Sequence, residues 1–211
     1  MTDQQKSRRI LPEPLILFVH GLVERTVVLF IKLKFSPNAL TVIALLLGMG
    51  SGIFFALGHP IWAGILLIFC GAFDILDGMV AVKTNRKSIF GAIFDSTLDR
   101  YSEFFVYLGL AYYFRNHWAL WILFFTFLGS TMVSYTRARA EGLGIECKVG
   151  LMQRAERLVF VSLGAIIAPL LNVYKPVIIV ILIAIALISN IAAFQRVLYV
   201  KRVEKNRIQS V

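Results

Sequence analysis

The chain has 211 residues, 58% of them hydrophobic and 16% charged, with a mean hydropathy of +0.77 and a formal net charge of +10. That composition excludes an ordinary soluble domain and indicates an all-α integral membrane protein, at a length that permits one domain over residues 1–211. Cys70 and Cys147 lie far apart, and His20, His59 and His117 are scattered, so no zinc-ligand spacing is present.

The first apolar stretch, 12–34, is broken by Glu13, His20, Glu24 and Arg25 and lacks a small-residue cleavage site, which argues against a removed signal. Its polar positions fall at helical spacing, as expected of an amphipathic helix lying in the membrane surface; a first spanning helix is the competing reading. Six longer apolar runs follow at 38–58, 61–83, 89–114, 118–137, 151–171 and 176–197. Each approaches the roughly 20 helical residues needed to cross a bilayer. The third and fifth carry charges in their first halves. The ends, 1–10 and 203–211, are polar and expected to be mobile.

Basic residues fix the expected orientation. With the N-terminus cytoplasmic, the outer loops hold only Arg115 and Lys175 of the 22 Lys and Arg residues. The rest gather at the N-terminus, in "KTNRK" (83–87), along 137–157 and in the tail, so both termini are expected on the cytoplasmic side of the cell membrane. This asymmetry explains the net charge without a nucleic-acid partner.

Against that background, four acids stand out at the cytoplasmic ends of the second and third runs. Asp74 and Asp77 are i and i+3, Asp95 and Asp99 are i and i+4, so each pair shares a helix face. An ionised acid in mid-bilayer costs about 2.5–3.5 kcal/mol, less near the interface. Four would repel one another unless cations intervene, and hard carboxylate oxygens suit magnesium or manganese. The alternative is pairing with nearby bases such as Arg100 or Lys83. Gly78, Ala81 and Gly91 leave room on the same stripes for a ligand to approach the backbone.

The motif reads Asp74-x-x-Asp77-Gly78-x-x-Ala81, nine residues, then Gly91-x-x-x-Asp95-x-x-x-Asp99. It resembles the signature of the CDP-alcohol phosphotransferase family, D-x-x-D-G-x-x-A-R, eight residues, G-x-x-x-D-x-x-x-D. Six spans behind an interfacial helix are similar to that family as well. One position departs: the family's Arg is Val82 here, followed by Lys83.

The resemblance implies transfer of a phosphatidyl-type group from a CDP-lipid to an alcohol, with release of CMP. Asp74, Asp77, Asp95 and Asp99 would then hold two divalent ions, with Asp99 also taking the acceptor's proton. Asn38 and Thr41 in "SPNALT" would join Asp74, Gly78, Ala81, Lys83 and Gly91 around the nucleotide. Pro and Asn are also ordinary residues at a helix start. The family generally forms homodimers, and Gly48 and Gly52 have the spacing of close-packed membrane helices, which serves a dimer or internal packing equally.

Arg137, Arg139, Arg154 and Arg157 flank one cytoplasmic loop. Arginine forks bind phosphate oxygens, which favours a phosphorylated acceptor over serine or choline. A solvated basic loop is the plainer reading, and Arg137 and Arg139, two apart, do not share a helix face. The run "SYTRARAEGLG…GLMQRAER" is similar to phosphatidylinositol phosphate synthases and their archaeal-lipid counterparts, which implies inositol 1-phosphate held by Arg137, Arg139 and Arg154. Glycerol 3-phosphate, the acceptor of phosphatidylglycerophosphate synthases, is the nearest rival. A cation transporter would also bury acids, but nearer mid-membrane and often in broken helices.

Overall fold

The computed structural model describes residues 13–147 and 149–209; residues 1–12, Lys148 and 210–211 lie outside the described residues. Seven helices account for almost all of it: α1 (Glu13–Lys32), α2 (Pro37–Ala56), α3 (Pro60–Lys83), α4 (Ile89–Tyr113), α5 (Ala119–Gly142), α6 (Arg154–Leu170) and α7 (Tyr174–Gln209). Helix starts follow local chemistry. Pro37 and Pro60 open α2 and α3, where a missing N–H costs nothing. Ser36 and Ser88 cap α2 and α4 by accepting from the N–H groups of Ala39 and Gly91, at 3.2 and 2.9 Å.

Four helices, α2, α3, α5 and α7, are long and apolar enough to cross a membrane. α4 and α6 carry the charges already noted in their first halves, and α6 has only 17 residues. The polar 203–209 segment, expected to be mobile, instead continues α7; the polar residues 1–10 lie outside the described residues. A helix need not stop where hydropathy stops, and residues such as Lys, Arg, Glu and Gln propagate one readily.

Packing divides the helices into two groups. α2 lies against both α3 and α4; α7 lies against α5 and α6; α3 and α6 join the groups. Small residues set the α2–α4 approach. A β-carbon on Gly109 would fall on the Gly52 carbonyl, one on Gly52 would strike the Phe105 carbonyl, and one on Gly48 would strike Ser102. The Gly48–Gly52 spacing therefore serves packing within the chain. A large apolar cluster built on Phe55, Leu67, Leu110, Phe114, Leu158 and Leu182 fills the interior. A second, built on Val23, Val27, Leu40, Leu76 and Val80, fastens α1 onto α2 and α3. Many large side chains, among them Trp62, Trp121, Phe124 and Phe194, face outward, as lipid-facing surface requires.

Candidate active site

α3 ends in a tight turn. The Asn85 N–H donates to the Val82 carbonyl and the Arg86 N–H to the Ala81 carbonyl, with Asn85 in the left-handed region at φ 55°. This helix-terminating pattern turns the chain back toward α4 within a few residues. The acid-bearing ends of α3 and α4 are thereby brought side by side.

One ligand oxygen from each of Asp74, Asp95 and Asp99 falls within 4.8 Å of the others. Asp77 stands apart from that trio. It is buried and accepts a 2.6 Å hydrogen bond from the Thr41 hydroxyl. Neither suspected base forms an ion pair with these acids: Arg100 donates to the Ser96 carbonyl, and Lys83 pairs with Glu24 at 2.8 Å. The hydrogen bond and charge of Lys83 hold the Glu24 carboxyl below its ordinary range. The cation in the cluster is Arg154, whose Nη1 lies 2.9 Å from Asp74 Oδ1 and 2.8 Å from Asp99 Oδ1.

Arg154 in contact and Arg100 nearby still leave three carboxylates with an excess of negative charge. Asp95 Oδ1 is buried and has no hydrogen-bond partner among the described residues. An oxygen-only donor set with an unsatisfied acceptor fits a hard divalent cation such as magnesium or manganese.

Two cavities meet at these acids. The first, about 560 Å³, is walled by Pro37, Asn38 and Thr41 of α2, by Asp77, Gly78 and Ala81 of α3, and by Gly91 and Asp95 of α4. A β-carbon on Gly78 would meet no protein atom, so the glycine leaves backbone open to the cavity. Arg86, Lys87 and Ser88 line the same cavity. The second cavity, about 440 Å³, has Asp74 and Asp99 on one wall and Arg100, Arg137, Arg154 and Arg196 among its basic groups.

Most of the expected site residues converge, and two do not. Lys83 is tied to Glu24, and Arg139 is exposed and lines neither cavity. Arg137 and Arg139 diverge as their spacing implies, and Arg137 pairs with Glu141 at 2.9 Å. Val82, where the signature has Arg, is exposed and lines neither cavity. Sequence reasoning passed over Arg86, Lys87 and Arg196. The first two were counted only as loop charge. Arg196, an isolated cation late in an apolar run, carried the signal of a functional charge and was missed. Its Nε donates to the Val149 carbonyl at 2.8 Å and its Nη1 to the Val133 carbonyl, which anchors it in the lining of the second cavity.

A helical membrane bundle with clustered carboxylates between two polar cavities defines a multi-pass membrane protein with an enzyme-like site. Residues 34–194 match the CDP-alcohol phosphatidyltransferase family. The chain is 37% identical to the archaetidylinositol phosphate synthase of Pyrococcus horikoshii, over 81% of this chain and 86% of that protein. It is also similar to the crystal structure of the phosphatidylinositol phosphate synthase PgsA1 of Mycobacterium tuberculosis with CDP-DAG bound. The TM-score is 0.75 at 26% identity, covering 86% of this chain and 92% of that one. The same enzyme with manganese and citrate gives the same score and identity, covering 86% and 88%. The chain belongs to the CDP-alcohol phosphatidyltransferase family, and it is a transferase rather than a cation transporter.

Proposed function

We propose that this protein transfers a phosphatidyl-type group from a CDP-lipid, CDP-diacylglycerol or its archaeal ether counterpart, to inositol 1-phosphate, releasing CMP. The observation that carries this reading is the shared wall of acids: Asp77 and Asp95 face one cavity, Asp74 and Asp99 the other. A donor diphosphate in the first and an alcohol in the second would meet at the carboxylates. Family membership, and relatives named as synthases of inositol phospholipids, support it.

The acceptor hydroxyl oxygen would bond to the lipid-bearing phosphorus as the bond to the bridging oxygen breaks, with CMP taking that oxygen. Asp99 would receive the hydroxyl proton, a role that fits a carboxylate bordering the acceptor cavity. Two magnesium or manganese ions held by Asp74, Asp77, Asp95 and Asp99 would polarise the phosphate oxygens and neutralise developing charge. Asn38, Thr41, Gly78, Ala81 and Gly91 would seat the nucleotide. Arg137 and Arg154 would grip the acceptor's phosphate, joined by Arg196, while Arg139 and Lys83 take no direct part.

The same reading has α2 to α7 as six spans of a single domain in the cell membrane, with termini and cavities toward the cytoplasm and the protein a homodimer. α1 would lie in the membrane surface: Leu17, Leu22 and Leu29 are exposed while Val23 and Val27 pack inward.

Purified protein with CDP-diacylglycerol and manganese should release CMP with inositol 1-phosphate, and Asp99→Asn should lower the rate by at least about a hundredfold. Glycerol 3-phosphate, free inositol and serine are the other acceptors to compare. Turnover with glycerol 3-phosphate alone would keep the site and reassign the acceptor. Turnover with serine alone would remove the phosphate-binding role of the arginines.

A further inference from the structure

Behind the acid cluster lies a buried ion pair that the chemistry above does not use. Glu103 follows Asp99 by four residues on α4, and Arg157 follows Arg154 by three on α6. These spacings put both acids on one face of α4 and both bases on one face of α6. The two helices are therefore joined by a ladder with two rungs. Asp99–Arg154 is the upper rung, at 2.8 Å. Glu103–Arg157 is the lower and is bidentate: Nε reaches Oε1 at 2.8 Å and Nη2 reaches Oε2 at 3.1 Å.

The lower rung is buried, although Arg157 is among the residues that line the second cavity. Arg157 is 1% exposed, and its remaining nitrogen, Nη1, faces the Met152 carbonyl at 3.4 Å. The Tyr107 hydroxyl donates to Glu103 Oε1 at 3.2 Å and lies 3.3 Å from the Ser130 hydroxyl of α5. The pair thus ties α4, α6 and the loop leading into α6 together, and reaches α5 only through Tyr107. Stability is a poor reason for it, since replacing a buried ion pair with apolar residues of similar volume is often neutral or stabilising.

We infer that Glu103–Arg157 is a positioning pair: it fixes the register of α6 against α4 and so aims Arg154 at the acceptor's phosphate. This rests on reading the second cavity as the acceptor site. Arg154 Nε and Nη2 are buried and have no hydrogen-bond partner among the described residues, so two donors are left for an anion. Where they point depends on where the first turn of α6 sits. Arg157 cannot serve the anion in its place, because its Nε and Nη2 are committed to Glu103. The pair is also neutral as a unit, so removing both members leaves the net charge around the cavity unchanged.

The test is the double variant Glu103→Met/Arg157→Met, with Glu103→Gln as a milder partner that keeps the side-chain volume. Folding is checked by thermal unfolding in detergent. Two readouts follow: the KM for each substrate with the other saturating, and the Kd for inorganic phosphate measured by calorimetric titration. The expected result is a rise of about tenfold in the inositol 1-phosphate KM and the phosphate Kd of the double variant, with a smaller rise for Glu103→Gln. The KM for CDP-diacylglycerol should stay within about twofold, because the pair does not border the donor cavity. Unchanged acceptor and phosphate constants in whichever variant folds would overturn the inference. So would equal rises for both substrates, which would mean general loosening, or a wild-type protein that binds no phosphate. A wild type that turns over no acceptor, yet binds phosphate more tightly than the variants, would sink the functional reading and leave the positioning role standing.

Discussion

Arg154 occupies two places at once. Its Nη1 bridges Asp74 and Asp99, while the side chain also lines the second cavity. A divalent cation and this guanidinium would draw on the same carboxylates, so each should weaken the other's hold. Arg154→Ala should therefore bind manganese more tightly, by about tenfold given the strength of charge-assisted contacts, in electron paramagnetic titration of the free ion. The same variant should need much more acceptor to reach half its maximal rate. Manganese affinity that stays level or falls would show that the guanidinium supports the metal site instead of competing for it. Thr41 offers a second residue-scale test. Its hydroxyl donates to the buried Asp77 carboxylate, and Thr41→Val keeps the shape while removing that donor. A buried carboxylate deprived of a hydrogen bond costs about 1–3 kcal/mol, so thermal unfolding should move down unless a cation compensates. Added manganese should therefore restore more stability to the variant than to the wild type.

At the scale of helices, glycine decides how closely α2 and α4 approach. Gly109→Ala drives a methyl group into the Gly52 backbone, whereas a β-carbon on Gly71 of α3 meets nothing within 4 Å. The first change should destabilise by about 1–3 kcal/mol through overpacking. Gly71→Ala should be neutral or slightly stabilising, because it also relieves the entropic cost of glycine in a helix. Thermal unfolding of the two variants side by side in detergent separates these outcomes, and equal shifts would remove the argument. These elements also show how far sequence could reach. Helix positions were legible because apolar runs, Pro37 and Pro60 at helix starts and the capping Ser88 are local signals. The Asp74–Asp99 constellation was legible because helical spacing converts sequence distance into a shared face. Gly109 was not, since a single glycine has no period and its partner lies on another helix. Lys83 misled for the same reason: Glu24, 59 residues away, captures it. Glu103 and Arg157 each close a short charged run at the start of an otherwise apolar stretch, and their sequence positions do not say that they pair with each other.

Orientation belongs to the molecule as a whole. The α3–α4 turn, the loop before α6 and the end of α7 carry the basic residues, while the opposite end holds Arg115 and Lys175. Both cavities draw on the basic end: Arg86 and Lys87 border one, and Arg137, Arg154 and Arg196 the other. By the positive-inside rule, the proposed orientation has that end in the cytoplasm. A water-soluble phosphorylated alcohol would then reach its cavity without crossing the bilayer, and CMP would leave on the side where nucleotides are recharged. The native cysteines, Cys70 and Cys147, are buried, which gives a silent background for labelling. In intact cells an impermeant maleimide should react with Asn116→Cys and Lys175→Cys, both exposed at the end opposite the cavities. Arg202→Cys, exposed on the polar C-terminal extension of α7, should react only after permeabilisation. The reverse pattern would turn the cavities outward and require the phosphorylated acceptor to be supplied from outside the cell. Labelling at all three positions in intact cells would instead indicate mixed insertion. In that case the basic asymmetry would be serving the cavities' anions rather than topology.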